Sequence, residues 1–162
     1  DELYVVVEAV SGGQVEILRF DADTEPTARR VVAELPDKLC RFLTAGDVDG
    51  DGDQEVVAAG SKSGLWLLEP GADGEGEGAN DTWTKTSIDR DSGGFEHASL
   101  LTDLDGDGRD ELYVASDTHG EVRRYRWSDD GPERRVIHRH PGGLKGFTWN
   151  LTPFPARLEL PQ

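Results

Sequence analysis

The chain has 162 residues, with 33 Asp and Glu against 17 Lys and Arg and a formal charge of −16. That length suffices for one well-buried domain or a short array of repeats. The acidity argues against nucleic acid and anionic membrane as partners, since both need a basic surface, and no apolar run approaches the roughly 20 residues of a membrane span.

In chain order, the strand signals begin at 1–5 and continue at 14–20 and 28–35. Residues 24–34 have some helical propensity, but the β-branched pair Val31-Val32 and the repeat register described below favour a strand. A strand at 39–45 leads into the acidic stretch Asp47-Val-Asp-Gly-Asp-Gly-Asp-Gln-Glu55, and an apolar strand follows at 55–59. After the polar turn 61–64 come strands at 65–69 and 83–89, separated by the Gly-rich acidic insertion 71–80, which reads as a surface hairpin. A strand at 95–102 enters a second acidic stretch, Asp103-Leu-Asp-Gly-Asp-Gly-Arg-Asp-Glu111. Strands at 111–116, 121–127 and 133–139 follow, with a spare strand expected at 146–151.

The two acidic stretches carry carboxylates at positions 1, 3, 5 and 9 around a glycine at 6. Alternating spacing turns the odd side chains toward one centre, and Gly52 or Gly108 supplies the positive φ of a sharp turn. An all-oxygen cage of this kind suits a hard cation, and a flexible loop favours Ca²⁺ over Mg²⁺, which demands tight octahedral geometry. Position 7 (Asp53, Arg109) would offer its backbone carbonyl. An EF-hand would need a glutamate at position 12, where Ala58 and Val114 stand. Two divalent ions would bring the charge from −16 to −12.

Residues 37–60 align without gaps on 93–116 at an offset of 56. Such a period, with short strands and turns, indicates a solenoid or propeller of four-stranded blades. The expected architecture is all-β, a single region over 1–162 with three blades of four antiparallel strands. Blade I comprises 1–36 plus a strand from 144–156, blade II 37–92 and blade III 93–143. Asp1-Glu-Leu-Tyr-Val5 overlays Asp110-Glu-Leu-Tyr-Val114, so Glu2 takes the ninth loop position and the first blade lacks its first strand. Leu151-Thr-Pro-Phe-Pro155 overlays Leu101-Thr-Asp-Leu-Asp105 with prolines in place of aspartates, so no third metal loop is expected. Three blades do not close a ring, which predicts completion by further blades from the same or another chain.

The pattern Asp-x-Asp-Gly-Asp-Gly-x-x-Glu followed by an apolar strand, with the lead-in His97-Ala-Ser-Leu-Leu-Thr-Asp-Leu-Asp105, resembles the FG-GAP/VCBS repeats of calcium-binding propellers, which include the integrin α-subunit head. The resemblance implies two Ca²⁺ sites. The first would use Asp47, Asp49, Asp51, Glu55 and the Asp53 carbonyl; the second Asp103, Asp105, Asp107, Glu111 and the Arg109 carbonyl. The family usually has Asp at the ninth position, whereas this chain has Glu. Because Arg109 stands where the first loop has Asp53, tighter binding is expected at the first.

The implied function is a calcium-stabilised binding or scaffold module, extracellular, periplasmic or at a cell surface, with a protein or glycan partner. Alternatives are the propeller portion of a carbohydrate-active enzyme such as a polysaccharide lyase, and a structural subunit of a surface assembly. The chain opens on Asp1 and contains no Met, which suggests removal of a signal peptide or larger upstream segment. The lone Cys40 reads as a small buried residue in a strand. His138 and His140 share one strand face but have no third ligand. The four tryptophans (66, 83, 127 and 149) read as packing residues, and Asn80 and Asn150 head short glycosylation-type triplets. No catalytic motif is recognised, so no catalytic residue is assigned.

Overall fold

The computed structural model describes residues 2–9, 12–25, 27–71, 83–92, 96–142 and 148–154. Among these it contains eleven strands, two 3-10 turns and no α-helix. The strands are β1 (Leu3–Val7), β2 (Val15–Phe20), β3 (Arg30–Leu35), β4 (Cys40–Gly46), β5 (Glu55–Gly60) and β6 (Gly64–Glu69). They continue with β7 (Thr84–Asp89), β8 (Glu96–Thr102), β9 (Glu111–Ser116), β10 (Glu121–Ser128) and β11 (Gly131–Arg139). All pairings are between sequence neighbours and antiparallel, giving three sheets: β1-β2-β3, β4-β5-β6-β7 and β8-β9-β10-β11. We call these sheets I, II and III.

Alternation along the strands explains how the sheets stack. In β5 the whole run Glu55–Gly60 is buried, because both faces of the strand are covered. Val56 and Ala58 join Val15, Ile17, Val32, Leu35, Leu68 and Trp83 in a core between sheets I and II. The intervening Val57 and Ala59 point the other way, into a second core with Leu65, Leu67, Leu101, Leu112, Val114 and Tyr125 between sheets II and III. Successive side chains of a strand face opposite sides, so one apolar run serves two cores. Leu65, Leu68 and Leu112 are fully buried, each contributing about 1.5–3 kcal/mol relative to exposure. Sheet II is thus the middle layer.

Polar contacts fix the layers. Trp83 N donates to Val32 O at 2.9 Å and Lys85 Nζ to Glu34 O at 2.7 Å, tying sheet II to sheet I. Between sheets II and III lies buried Arg123, whose Nε donates to Glu121 at 2.8 Å and whose Nη1 donates to Ser92 Oγ at 2.8 Å and Asp91 O at 3.0 Å. Tyr125 donates to Asp89 at 2.8 Å, beside Arg134 at 3.0 Å.

Among the described residues sheet I has no counterpart of β4 and β8. The consequence is visible in matching residues: Leu112 in β9 is 0% exposed, whereas Leu3 in β1 is 61% exposed. The spare strand expected at 146–151 is not formed over 148–151, which are irregular, as are residues 152–154; residues 146 and 147 lie outside the described residues. Thr148 N and Oγ1 instead donate to the two carboxylate oxygens of Asp117 at 2.6 and 2.9 Å. Pro153 lacks an N–H for a ladder. The first strands also differ slightly from expectation: β3 starts at Arg30, which pairs with Arg19 near the end of β2.

Candidate metal centres

The two acidic stretches connect β4 to β5 and β8 to β9, the first two strands of sheets II and III. Their conformation follows from aspartate bonding its own backbone. In the first loop, Asp47 Oδ1 and Oδ2 accept from Gly50 N at 2.6 Å and Gly52 N at 2.9 Å. Asp49 accepts from Asp51 N at 3.2 Å and Asp51 from Asp53 N at 2.8 Å. The second loop repeats this: Asp103 accepts from Gly106 N at 2.6 Å and Gly108 N at 3.0 Å, and Asp107 from Arg109 N at 3.0 Å. Gly52 and Gly108 take the expected positive φ, +95° and +88°, a conformation costly for residues with a Cβ.

Glu55 and Glu111 close the loops from the first positions of β5 and β9, and both are buried. Each also braces its loop: Glu55 Oε2 accepts from Val48 N at 3.0 Å, and Glu111 Oε2 from Leu104 N at 3.2 Å and Tyr113 Oη at 3.0 Å. The remaining oxygen of Glu111, Oε1, is buried and accepts no hydrogen bond. The nearest cationic group, Arg126 Nε, is 3.6 Å away, beyond hydrogen-bond distance, so the buried oxygen is only partly compensated, and a closer cation would remove the remaining cost.

Oxygen atoms of Asp47, Asp49 and Glu55 lie within 4.8 Å of one another, as do those of Asp103, Asp105 and Glu111. Both clusters could hold a metal ion. Their donors are all oxygen, which suits a hard cation rather than a soft or redox-active one. Asp51 and Asp107 flank these groups without belonging to them, and the side chain of Asp53 is exposed. Without a cation the clusters are electrostatically strained. Burial, opposed by the Val48 hydrogen bond and aided by Asp49, Asp51 and Asp47, pushes Glu55 up to about 7. Burial and neighbouring Asp105 likewise raise Glu111.

Three contacts around the loops are not encoded in the motif itself. Asp110, at loop position 8, reaches back to the first loop: Asp47 N donates to its Oδ2 at 2.9 Å, while Asp110 N donates to Asp47 O at 2.7 Å. This pair fastens the opening of one loop to the close of the next, and glycine at 46 leaves room, since a Cβ there would collide with Asp110. Arg109 leans away from its own loop, its Cγ 3.1 Å from where a Cβ of Gly50 would lie. The basic group in the second cluster is Arg126 of β10, with Nη2 2.7 Å from Asp105 and 2.8 Å from Asp107. The sequence offset would have matched Arg126 with Pro70, which hid its role.

Beside the first loop an open cleft of about 910 Å³ is walled by Tyr4 and Arg19 of sheet I and by Asp49, Asp51, Glu69 and Trp83. Trp83, Trp66 and Trp127 pack into or against the two cores, as expected, whereas Trp149 is 65% exposed. Rings of His138 and His140 meet edge to face, with centroids 4.8 Å apart, but neither belongs to a metal-ligand cluster among the described residues. Cys40 is buried, and burial pushes its thiol up to about 12. The insertion 72–80 and Asn80 lie outside the described residues, whereas Asn150 is exposed. No helix among the described residues is long and apolar enough to cross a membrane.

The chain matches no protein-family model, no curated protein and no solved structure.

Proposed function

We propose that the chain is a calcium-stabilised segment of a β-propeller, with sheets I, II and III as successive blades, that acts as a binding or scaffold module outside the cytosol. The observation that carries the metal reading is the clustering of carboxylate oxygens of Asp103, Asp105 and buried Glu111 within 4.8 Å of one another, beside a Glu111 Oε1 that accepts no hydrogen bond. The first loop repeats the arrangement with Asp47, Asp49 and Glu55. Asp51, Asp107 and the carbonyls of Asp53 and Arg109 are the further oxygens each loop offers. Calcium would supply the positive charge that lets these carboxylates ionise together, which couples metal binding to folding.

The protein's own part is positional. Each loop fixes the exit of one strand and the start of the next, and Asp110 carries that order from the first loop to the second. Face-to-face stacking of sheets through shared apolar cores supports the propeller reading, and the exposed edge of β1 is where a further strand would complete sheet I. The loops around the cleft beside Tyr4 and Trp83 are then held rigid for a protein or glycan partner.

Calorimetric titration of the metal-free chain with Ca²⁺ tests the metal reading. Two ions should bind, one being lost in Glu55→Gln and one in Glu111→Gln. A chain that takes up no Ca²⁺ at millimolar concentration, or prefers a soft metal such as Zn²⁺, would sink it.

A further inference from the structure

The two loops repeat in sequence, but the strand register sets opposite charges against them. In sheet II, Val56 pairs with Leu68, so the next step places Glu69 across from Glu55. In sheet III, Leu112 pairs with Tyr125, and the next step places Arg126 across from Glu111. The difference arises in the preceding turn. β5 returns through Gly60↔Gly64, whereas β9 returns through Ser116↔Glu121, one residue longer. That extra residue shifts the pairing by one relative to the 56-residue repeat.

Arg126 reaches three carboxylates of the second loop. Its Nη2 lies 2.7 Å from Asp105 and 2.8 Å from Asp107, and its Nε is 3.6 Å from the otherwise unbonded Oε1 of Glu111. Two of these three, Asp105 and Glu111, are in the group able to hold an ion. The side chain is 42% exposed, so it can swing into solvent without tearing a core. At the first loop the corresponding side chain is acidic and lines the same cleft as Asp49, Asp51 and Glu55.

We propose that Arg126 is a built-in counter-cation of the second loop. It partly neutralises Asp105, Asp107 and Glu111 when no metal is bound and must yield its contacts to a divalent ion. The two loops then have different tasks. The first depends on its metal, and the second keeps its shape without one and responds to metal at higher concentration. This rests on the metal reading above and adds to it the residue that sets the second affinity.

The test uses the Glu55→Gln background, in which a Ca²⁺ titration reads the second loop alone. Adding Arg126→Gln should tighten that site roughly three- to tenfold, as expected from releasing two solvent-exposed ion pairs. In chelator the same substitution should lower the thermal midpoint. Opposite signs in the two measurements are what a merely structural arginine would not give. Arg126→Lys, which keeps the charge but not the fork that spans two carboxylates, should tighten the site by less. It also serves as the deciding variant if the Gln chain does not fold. Unchanged or weaker binding on replacing Arg126, with the second site still measurable in the background, overturns the counter-cation role and leaves the metal reading intact. No Ca²⁺ binding in the background with or without Arg126 overturns both.

Discussion

Replacing Glu55 with Gln should have opposite effects on the metal-free and metal-bound protein. Glu55 is 6% exposed, and its Oε2 accepts from Val48 N at 3.0 Å. A Gln carbonyl can keep that bond, so Glu55→Gln removes charge with little change of shape. In the metal-free protein the carboxyl is raised from 4.5 to about 7, first by burial and then by Asp49, Asp51 and Asp47. A folded-state value above the unfolded one means that protonation favours the fold. The stabilising share is present in full below about 4.5 and is lost as pH rises through about 7. Taken at face value the shift is worth about 3 kcal/mol at pH 8, at 1.36 kcal/mol per unit. Asp49 and Asp51 are exposed, so solvent screening reduces this to about 1–2 kcal/mol.

Urea unfolding of both chains in chelator at pH 5 and pH 8 should therefore show Glu55→Gln more stable than the parent at pH 8 by about 1–2 kcal/mol. At pH 5 the gap should narrow to a few tenths of a kcal/mol. Subtracting the two chains cancels the carboxylates remote from Glu55. With saturating Ca²⁺ the order should reverse, since the parent gains binding energy and the variant loses the first site. A variant less stable than the parent at pH 8 in chelator would refute the claim that Glu55 is held at a cost until a cation arrives.

Other consequences follow from the contacts between sheets. Asp110→Ala should cost about 1–2 kcal/mol by leaving Asp47 N without its acceptor, and should weaken Ca²⁺ at the first loop; Asp110→Asn, which keeps an acceptor, should recover most of the binding. Arg123→Met should lower stability by about 1.5–3 kcal/mol in urea unfolding, because Glu121, Ser92 Oγ and the Asp91 carbonyl lose a buried charged donor. Leu68→Ala, at a fully buried site in the core between sheets I and II, should cost about 2–5 kcal/mol. Cys40 should resist a thiol reagent in the native chain at pH 8 and react at once in denaturant; rapid native labelling would contradict its burial.

Much of this architecture was legible because it is encoded locally. The aspartate and glycine spacing of each loop dictates its own backbone bonds, and unbroken apolar runs mark β5 and β9, so most strand positions and the two carboxylate clusters followed from the chain alone. Register-dependent contacts did not. Arg126 and Glu69 become counterparts only through the one-residue difference between two turns, which the 56-residue sequence offset conceals. The C-terminal segment has a strand-like pattern, but Asp117 captures Thr148 N and Oγ1 first. A strand needs a partner edge as well as a pattern, and periodicity reports only the pattern.

Asp110 shows why the metal loops and the stacking of sheets form one problem. As a residue of the second loop it precedes Glu111, which supplies the buried oxygen; as a partner of the first loop it holds both polar groups of the Asp47 backbone. Any cation that orders Glu111 also limits Asp110, and any that orders Asp47 limits it from the other side. Glycine at 46 is the steric condition for that contact, since a larger residue would collide with the Asp110 carboxylate. The repeated acidic motif therefore does more than present two independent cages. Asp110, at position 8 of the second loop, makes the two loops a continuous tie between neighbouring sheets, and the opposite charges of Glu69 and Arg126 across from position 9 are what the proposed difference in metal affinity rests on.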